Sequence, residues 1–317
     1  VLSIGGGSVR RQVVLRRLTL KNSDGGGLSV RAATVHLERV SLDRNHATSG
    51  GGIYIRGDAP GAELHLSAGS SVTSNTAMEY GGGIYCSRQG LVHLASDTGV
   101  IGNIAEGNGN ALGYGGGLYL LGCTATINTG GAGVIGGLLQ NISNNDANVG
   151  GGIFVSSSAN FPGNVTIGSG LIGSGPRPLI LNNTAAFSGG GIAARGEHTT
   201  VTVNDAVVAS NSVTASGSGG GVSASEKARV TIARTRSRCD VEHCSRISGN
   251  SAARGGAISV SDGAEVTVSG TRIQGNNATA GGSAYLAVSE DTRLHSYNNV
   301  IVGNTGPSVV QISPQNI

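Results

Sequence analysis

Three consecutive glycines set against an alternating apolar run recur along this chain. Gly50 opens GGGIYI, Gly81 GGGIYC, Gly115 GGGLYL, Gly150 GGGIFV, Gly189 GGGIAA and Gly219 GGGVSA, while Gly255 opens GGAISV and Gly281 opens the most drifted copy, GGSAYL. The starts are 26 to 39 residues apart. A loosely held period of that size marks a stacked or radial array, in which each unit buries its apolar face only against its neighbours.

Composition narrows the kind of array. The 317 residues include 56 glycines and no tryptophan, and only 12% are charged, which excludes the Ala/Glu/Leu/Lys-rich helical repeats. The glycines keep no G-X-Y period, and regular Val/Ile/Leu alternation between them argues for a packed chain rather than a low-complexity one. The repeat runs through without a linker or charge block, so residues 1–317 read as one elongated domain. Insertions are expected near 125–140, 157–178 and 234–246.

A second column accompanies the glycines, an aliphatic residue three positions before an asparagine. It reads Leu42/Asn45, Val72/Asn75, Val100/Asn103, Leu138/Asn141, Ile180/Asn183, Val208/Asn211, Ile247/Asn250, Ile273/Asn276 and Ile301/Asn304. A third alternating segment lies between the columns, as in Glu63-Leu-His-Leu, Leu91-Val-His-Leu and Thr200-Val-Thr-Val. Each repeat therefore reads as three short period-2 strands separated by Gly/Asn/Ser/Asp turns. Leu15-Arg-Arg-Leu-Thr-Leu aligns with Leu37-Glu-Arg-Val-Ser-Leu at a shift of 22 residues, the bare length of such a rung. The expected fold is all-β, a single-stranded right-handed parallel β-helix, a solenoid of about ten coils and roughly 50 Å long at the inter-strand spacing. The glycines would turn corners at positive φ, and the asparagines, which tolerate the left-handed region, would stack beside another corner.

The stretch Val72-Thr-Ser-Asn-Thr-Ala-Met-Glu-Tyr-Gly-Gly-Gly-Ile-Tyr85 resembles the β-helix repeats of bacterial surface proteins, in particular polymorphic outer-membrane proteins and related autotransporter passengers. Gly255-Gly-Ala-Ile258 matches the Gly-Gly-Ala-aliphatic motif of that group, whereas the partner Phe-x-x-Asn motif carries Leu, Val or Ile here in place of Phe. The similarity covers roughly residues 15 to 305. It implies an extracellular or cell-surface location at a bacterial outer membrane, and a role in adhesion or display.

Candidate chemistry is sparse. The formal charge of +3 is too mild for nucleic-acid binding, although residues 1–45 hold eight Arg or Lys against three Asp or Glu. No run approaches a membrane span, and the first residues lack a signal peptide, so attachment to a membrane would need an anchor or barrel outside these residues. The strings Gly131-Ala-Gly-Val-Ile-Gly136 and Gly168-Ser-Gly-Leu-Ile-Gly173 do not open a helix in a βαβ unit, and no cofactor or metal is expected. His65 and His93 should stack outside on adjacent coils, but with no third ligand evident they read as an exposed pair. Arg234, Arg236 and Arg238 would line one strand face and suit sulfate, phosphate or uronate; a solvated loop is the plainer reading. Cys239 and Cys244, five positions apart, are expected to close a small disulfide loop in an oxidising compartment. No bond is expected between Cys86 and Cys123, which stand at different offsets from their glycines.

The residue after the first apolar position of each glycine motif should point outward. That column reads Tyr54, Tyr85, Tyr119, Phe154, Ala193, Ser223, Ser259 and Tyr285, which gathers five of the ten Tyr and Phe. It is either a stacked and covered ladder or an open stripe of apolar rings with polar tips. The expected function is a non-catalytic, monomeric module that binds a glycan or a host or neighbouring cell surface. The alternative is a polysaccharide lyase or hydrolase acting on an acidic polysaccharide, with Arg in place of the scarce lysines Lys21 and Lys227.

Overall fold

The structure is a computed structural model that describes residues 1–7, 9–58, 61–95, 97–109, 111–127, 141–168, 177–214, 216–235 and 245–313. It is a parallel β-helix. One coil shows the plan: Ile53–Arg56, Glu63–Ser67, Ser71–Thr73 and Thr76–Tyr80 each pair, in parallel, with the equivalent strands of the next coil. Four sheets result, with 11, 10, 10 and 8 strands in coil order, and each adds its strands one coil at a time. The bare rung at the start behaves as its 22-residue shift requires, with Leu15 beside Leu37 and Leu20 beside Leu42. A fourth strand replaces the turn-like link expected after the asparagine, because Thr76-Ala-Met-Glu-Tyr80 carries enough Thr, Ala and Tyr to extend and pair. Within the second expected insertion, Gly163–Ile167 is a regular strand of the second sheet. Residues 128–140, 169–176 and 236–244 lie outside the described residues.

Alternation fills the interior. Ile53 and Ile55, Ile84 and Cys86, and Leu118 and Leu120 all point inward and are buried, joined from the other sheets by Leu64, Leu66 and Val72. Because every coil repeats the pattern in register, these side chains stack into one continuous core from Leu28 to Tyr285. Each fully buried Leu or Ile contributes about 1.5–3 kcal/mol.

The asparagine column is a hydrogen-bonded ladder. Asn45, Asn75, Asn103, Asn145, Asn183, Asn211, Asn250, Asn276 and Asn304 link in sequence, each Nδ2 donating to the next Oδ1 at 2.9–3.0 Å. The same Oδ1 also accepts from the preceding asparagine's backbone N–H, as Asn103 does from Asn75 at 3.0 Å. The second Nδ2 proton goes back a coil, from Asn103 to the Val72 carbonyl. This arrangement uses both amide protons and both oxygen lone pairs. Two expectations are corrected. In the fourth coil the ladder position is Asn145, three after Ile142, rather than Asn141, which opens the strand Asn141–Ser143; Asn145 makes the bonds to Asn103 and Asn183. The left-handed residue is not the ladder asparagine but the one before it, including Arg44, Ser74, Gly102, Asn144 and Asn182. That turn aims the following side chain along the helix axis.

The glycine triplet serves two purposes. Its first member takes positive φ, 62° at Gly81 and 66° at Gly115. The next two lie under the backbone of the following coil: a Cβ on Gly116 would stand 2.4 Å from the Asp146 oxygen, and one on Gly117 would stand 2.5 Å from the Gly152 oxygen. The structure adds an earlier copy, Gly25-Gly26-Gly27-Leu28, whose Leu28 pairs with Ile53 but whose positive φ, 90°, falls at Gly26. It also moves the last one. The Gly281 motif starts at Gly282, which carries a positive φ of 65° and whose carbonyl accepts from the Gly256 N–H. Tyr285 therefore pairs with Ile258 and points into the core at 2% exposure, with its hydroxyl 3.1 Å from Ser296 Oγ. Its place in the outward column is overturned.

The sequence offsets also misled on the cysteines. Cys86 and Cys123 form a disulfide with Cα atoms 6.2 Å apart. Cys86 points inward from the first sheet, and Cys123 lies at the corner of the next coil, one position before Thr124–Ile127, so bonded sulfurs need not share a register position. Gly90 leaves the space: a Cβ there would meet the Cys86 sulfur at 2.5 Å. Cys239 and Cys244 lie outside the described residues.

Two measurements check this architecture. Asn103→Leu strips partners from the Asn75 N–H, the Asn75 amide and the Val72 carbonyl, and should cost about 3 kcal/mol or more in denaturant unfolding. Asn164→Thr, in an outward column where its neighbours are Thr124 and Thr200, should change stability by no more than about 0.5 kcal/mol. Alkylation in denaturant without reductant should leave Cys86 and Cys123 joined in the peptide map. Replacing both by Ser should remove about 4 kcal/mol for a crosslink spanning 37 residues.

Candidate functional site

Register places Tyr54, Tyr85, Tyr119, Phe154, Ala193, Ser223 and Ser259 side by side on the outside of the first sheet. Parallel strands carry equivalent side chains at a spacing near that of stacked rings, so the aromatics form a ladder. Ring centroids are 5.3 Å apart for Tyr54–Tyr85, 5.4 Å for Tyr85–Tyr119 and 5.0 Å for Tyr119–Phe154.

The ladder is not uniform. Tyr80 and Tyr114, bridged in parallel at the neighbouring corner, lean over it, with Tyr80 5.1 Å from Tyr119 and Tyr114 4.9 Å from Phe154. Tyr119 and Phe154 are consequently only 8% and 3% exposed, the centre of a small second core with Ala193. The outer half, Tyr54 and Tyr85, stays half-buried. Sequence reasoning missed Tyr80 and Tyr114, although each stands directly before a glycine triplet and so marked its own column.

Tyr54 and Tyr85 floor a groove of about 640 Å³. The tight turn Ser158–Phe161, closed by an N–H···O bond of 2.9 Å from Ser158 to Phe161, walls one side. Arg56, Asp58 and Arg88 also line the groove, with Arg88 3.1 Å from Asp58 and Arg56 paired to the same carboxylate. Arg31 lies over the Tyr54 ring at 5.6 Å, a cation–π contact at the end of the stripe. Burial works to raise the Asp58 carboxyl, but Arg88 and Arg56 outweigh it and hold it below the usual carboxylate range. Asp58 is thus a fixed anion rather than a proton donor. It is the groove's one carboxylate among the described residues, whereas glycoside hydrolysis uses a pair with one member raised.

Arg234, His65 and His93 do not line this groove. Arg234 follows the strand Arg229–Ala233 and is exposed, while Arg236 and Arg238 lie outside the described residues. His65 and His93 stack on the second sheet, their ring centroids 4.6 Å apart, with His36 on His65 at 4.4 Å. Glu63 supplies the third group that the sequence reading did not find. It stands two residues before His65 on the same strand face, and its Oε1 lies 2.8 Å from His65 Nε2 and 3.3 Å from His93 Nε2. Comparison of the chain with family models, with curated proteins and with solved structures gives no match.

Burial pushes the Tyr119 phenol well above the ordinary tyrosine range, helped by Tyr85, Tyr80 and Tyr114; burial raises Tyr80, Tyr85 and Tyr285 as well. A phenol raised in the folded chain adds stability that is present below its unfolded pKa and is lost as pH climbs past it. Alkaline titration followed at 295 nm should therefore show these four phenolates appearing late and together with loss of the β circular dichroism signal. Ionisation of all seven tyrosines near pH 10 in a still-folded chain would contradict the covered ladder.

Proposed function

We propose that this chain is a non-catalytic β-helix module for adhesion or surface display, extracellular or at a bacterial cell surface, and that it binds a glycan along the Tyr54/Tyr85 groove. The observation that carries this reading is the pair of half-buried rings on rigid, adjacent strands, with charged hydrogen-bonding groups lining the same groove. A pyranose ring presents C–H faces and hydroxyl edges, which suit an aromatic floor and an Arg/Asp rim respectively. The strands hold the rings in place before binding, so little ordering entropy is lost. The buried Cys86–Cys123 bond supports an oxidising compartment, in keeping with the resemblance to outer-membrane passengers. The arginines Arg31, Arg56 and Arg88 favour chains bearing uronate, sulfate or phosphate groups.

A glycan array probed with the wild-type chain and with Tyr54→Ala/Tyr85→Ala tests the assignment. Both rings lie outside the main core, so the variant keeps the β signal while binding falls at least about tenfold, the effect of losing a principal aromatic contact. Undiminished glycan binding by the variant would remove the groove from the account. Release of reducing or unsaturated sugars from an acidic polysaccharide would replace it with the lyase or hydrolase reading, and tyrosine-dependent binding to a protein ligand alone would make the partner a cell-surface protein.

A further inference from the structure

The outer face of the second sheet holds a constellation that the proposed glycan groove does not use. Parallel register sets His36, His65 and His93 on three consecutive coils, followed by Thr126 in the same column. The rings stack nearly flat, with interplanar angles of 16° and 18°. Stacking fixes their orientation, so His65 and His93 both bring Nε2 to the same oxygen, Glu63 Oε1. The donor atoms of Glu63, His65 and His93 all lie within 4.8 Å of one another.

We propose that Glu63, His65 and His93 form a binding site for a divalent cation of the zinc class that clips two consecutive coils together from outside. Zinc takes nitrogen at about 2.0–2.1 Å and carboxylate oxygen at about 2.0–2.2 Å in a tetrahedron, which sets ligand atoms roughly 3.4 Å apart. The His93 to Glu63 separation of 3.3 Å meets that spacing, and the 2.8 Å from His65 to Glu63 has to open by about half an ångström. The carboxylate is already oriented for the task. Arg10 pairs with Oε2, and Thr34 Oγ1 stands 3.5 Å from the same atom, which leaves Oε1 directed at the imidazoles. Such outer partners hold the ligating oxygen in place and are a regular part of metal sites. His36 is a positioning residue that supports the His65 ring from the preceding coil. The three side chains are 20–35% exposed, so a cation can enter from solvent and keep water in the remaining position. Two imidazoles and one carboxylate favour zinc, copper(II) or nickel over magnesium and calcium, which prefer oxygen-only sets.

The test is calorimetric titration of chelator-stripped protein with zinc chloride, repeated with magnesium chloride. Wild type should bind one zinc per chain saturably in the micromolar range, raise its unfolding temperature when loaded, and ignore magnesium. His65→Thr and His93→Thr place in the column the residue that Thr126 already supplies, so these chains fold, and each should weaken zinc binding at least about tenfold. Glu63→Gln should do the same, and His36→Thr should weaken it less. Absence of saturable zinc binding, or binding that survives His65→Thr/His93→Thr, would overturn the site, and neither result bears on glycan binding at Tyr54 and Tyr85.

Discussion

Everything in this molecule depends on the stacking of one coil on the next at the spacing of paired parallel strands. The repeat forces equivalent residues to lie above one another, so any residue type kept at one position becomes a column. The Asn45–Asn304 column shows why this matters energetically. A buried amide costs free energy unless all its groups are paired. Here each asparagine finds its partners only in the coils before and after it, and a coil out of register would strand them all. Apolar columns such as Ile53, Ile84, Leu118 and Ile153 supply most of the burial but would tolerate sliding. The asparagines make the register specific.

The glycines follow from the same constraint. The coil has to reverse between the fourth and first sheets while the next coil's backbone passes within van der Waals contact. One residue must reach positive φ, and two must lack a Cβ, which explains a triplet rather than a single glycine. At Gly90 the freed space is filled from elsewhere, by the Cys86–Cys123 sulfurs. The bond ties the coils of Cys86 and Cys123 from within the core, while the Glu63, His65 and His93 cluster spans the coil of Cys86 and the one before it from outside on another sheet.

Columns also dictate what the surface can offer. An aromatic column stacks on itself and is then half used up by neighbours: Tyr80 and Tyr114 close over Tyr119 and Phe154 and leave Tyr54 and Tyr85 half-buried. A histidine column stacks in the same way, but its nitrogens remain at the ring edge, where Glu63 meets them. Stability and the binding proposed for Tyr54, Tyr85 and the histidine column therefore draw on the same repeated positions, and the division between them is set by which neighbouring corner carries a bulky side chain.

The sequence by itself determined the parallel β-helix, the direction of most side chains, the asparagine ladder in eight of its nine coils and the aromatic column as far as Ser259. All of these follow from period-2 alternation and a repeated turn, which are local. Three matters were decided only by tertiary structure. Asn145 rather than Asn141 joins the ladder, and Gly282 rather than Gly281 opens the last glycine corner, because the alignment of drifted repeats is settled by which frame lets a coil pair with its neighbour. Tyr285 is thereby turned into the core, since a shift of one residue in a strand exchanges its two faces. Cys86 meets Cys123, and Tyr80 covers Tyr119, because these contacts run between different sheets of adjacent coils. Distances across the coil depend on how corners close in three dimensions, and no linear offset encodes that.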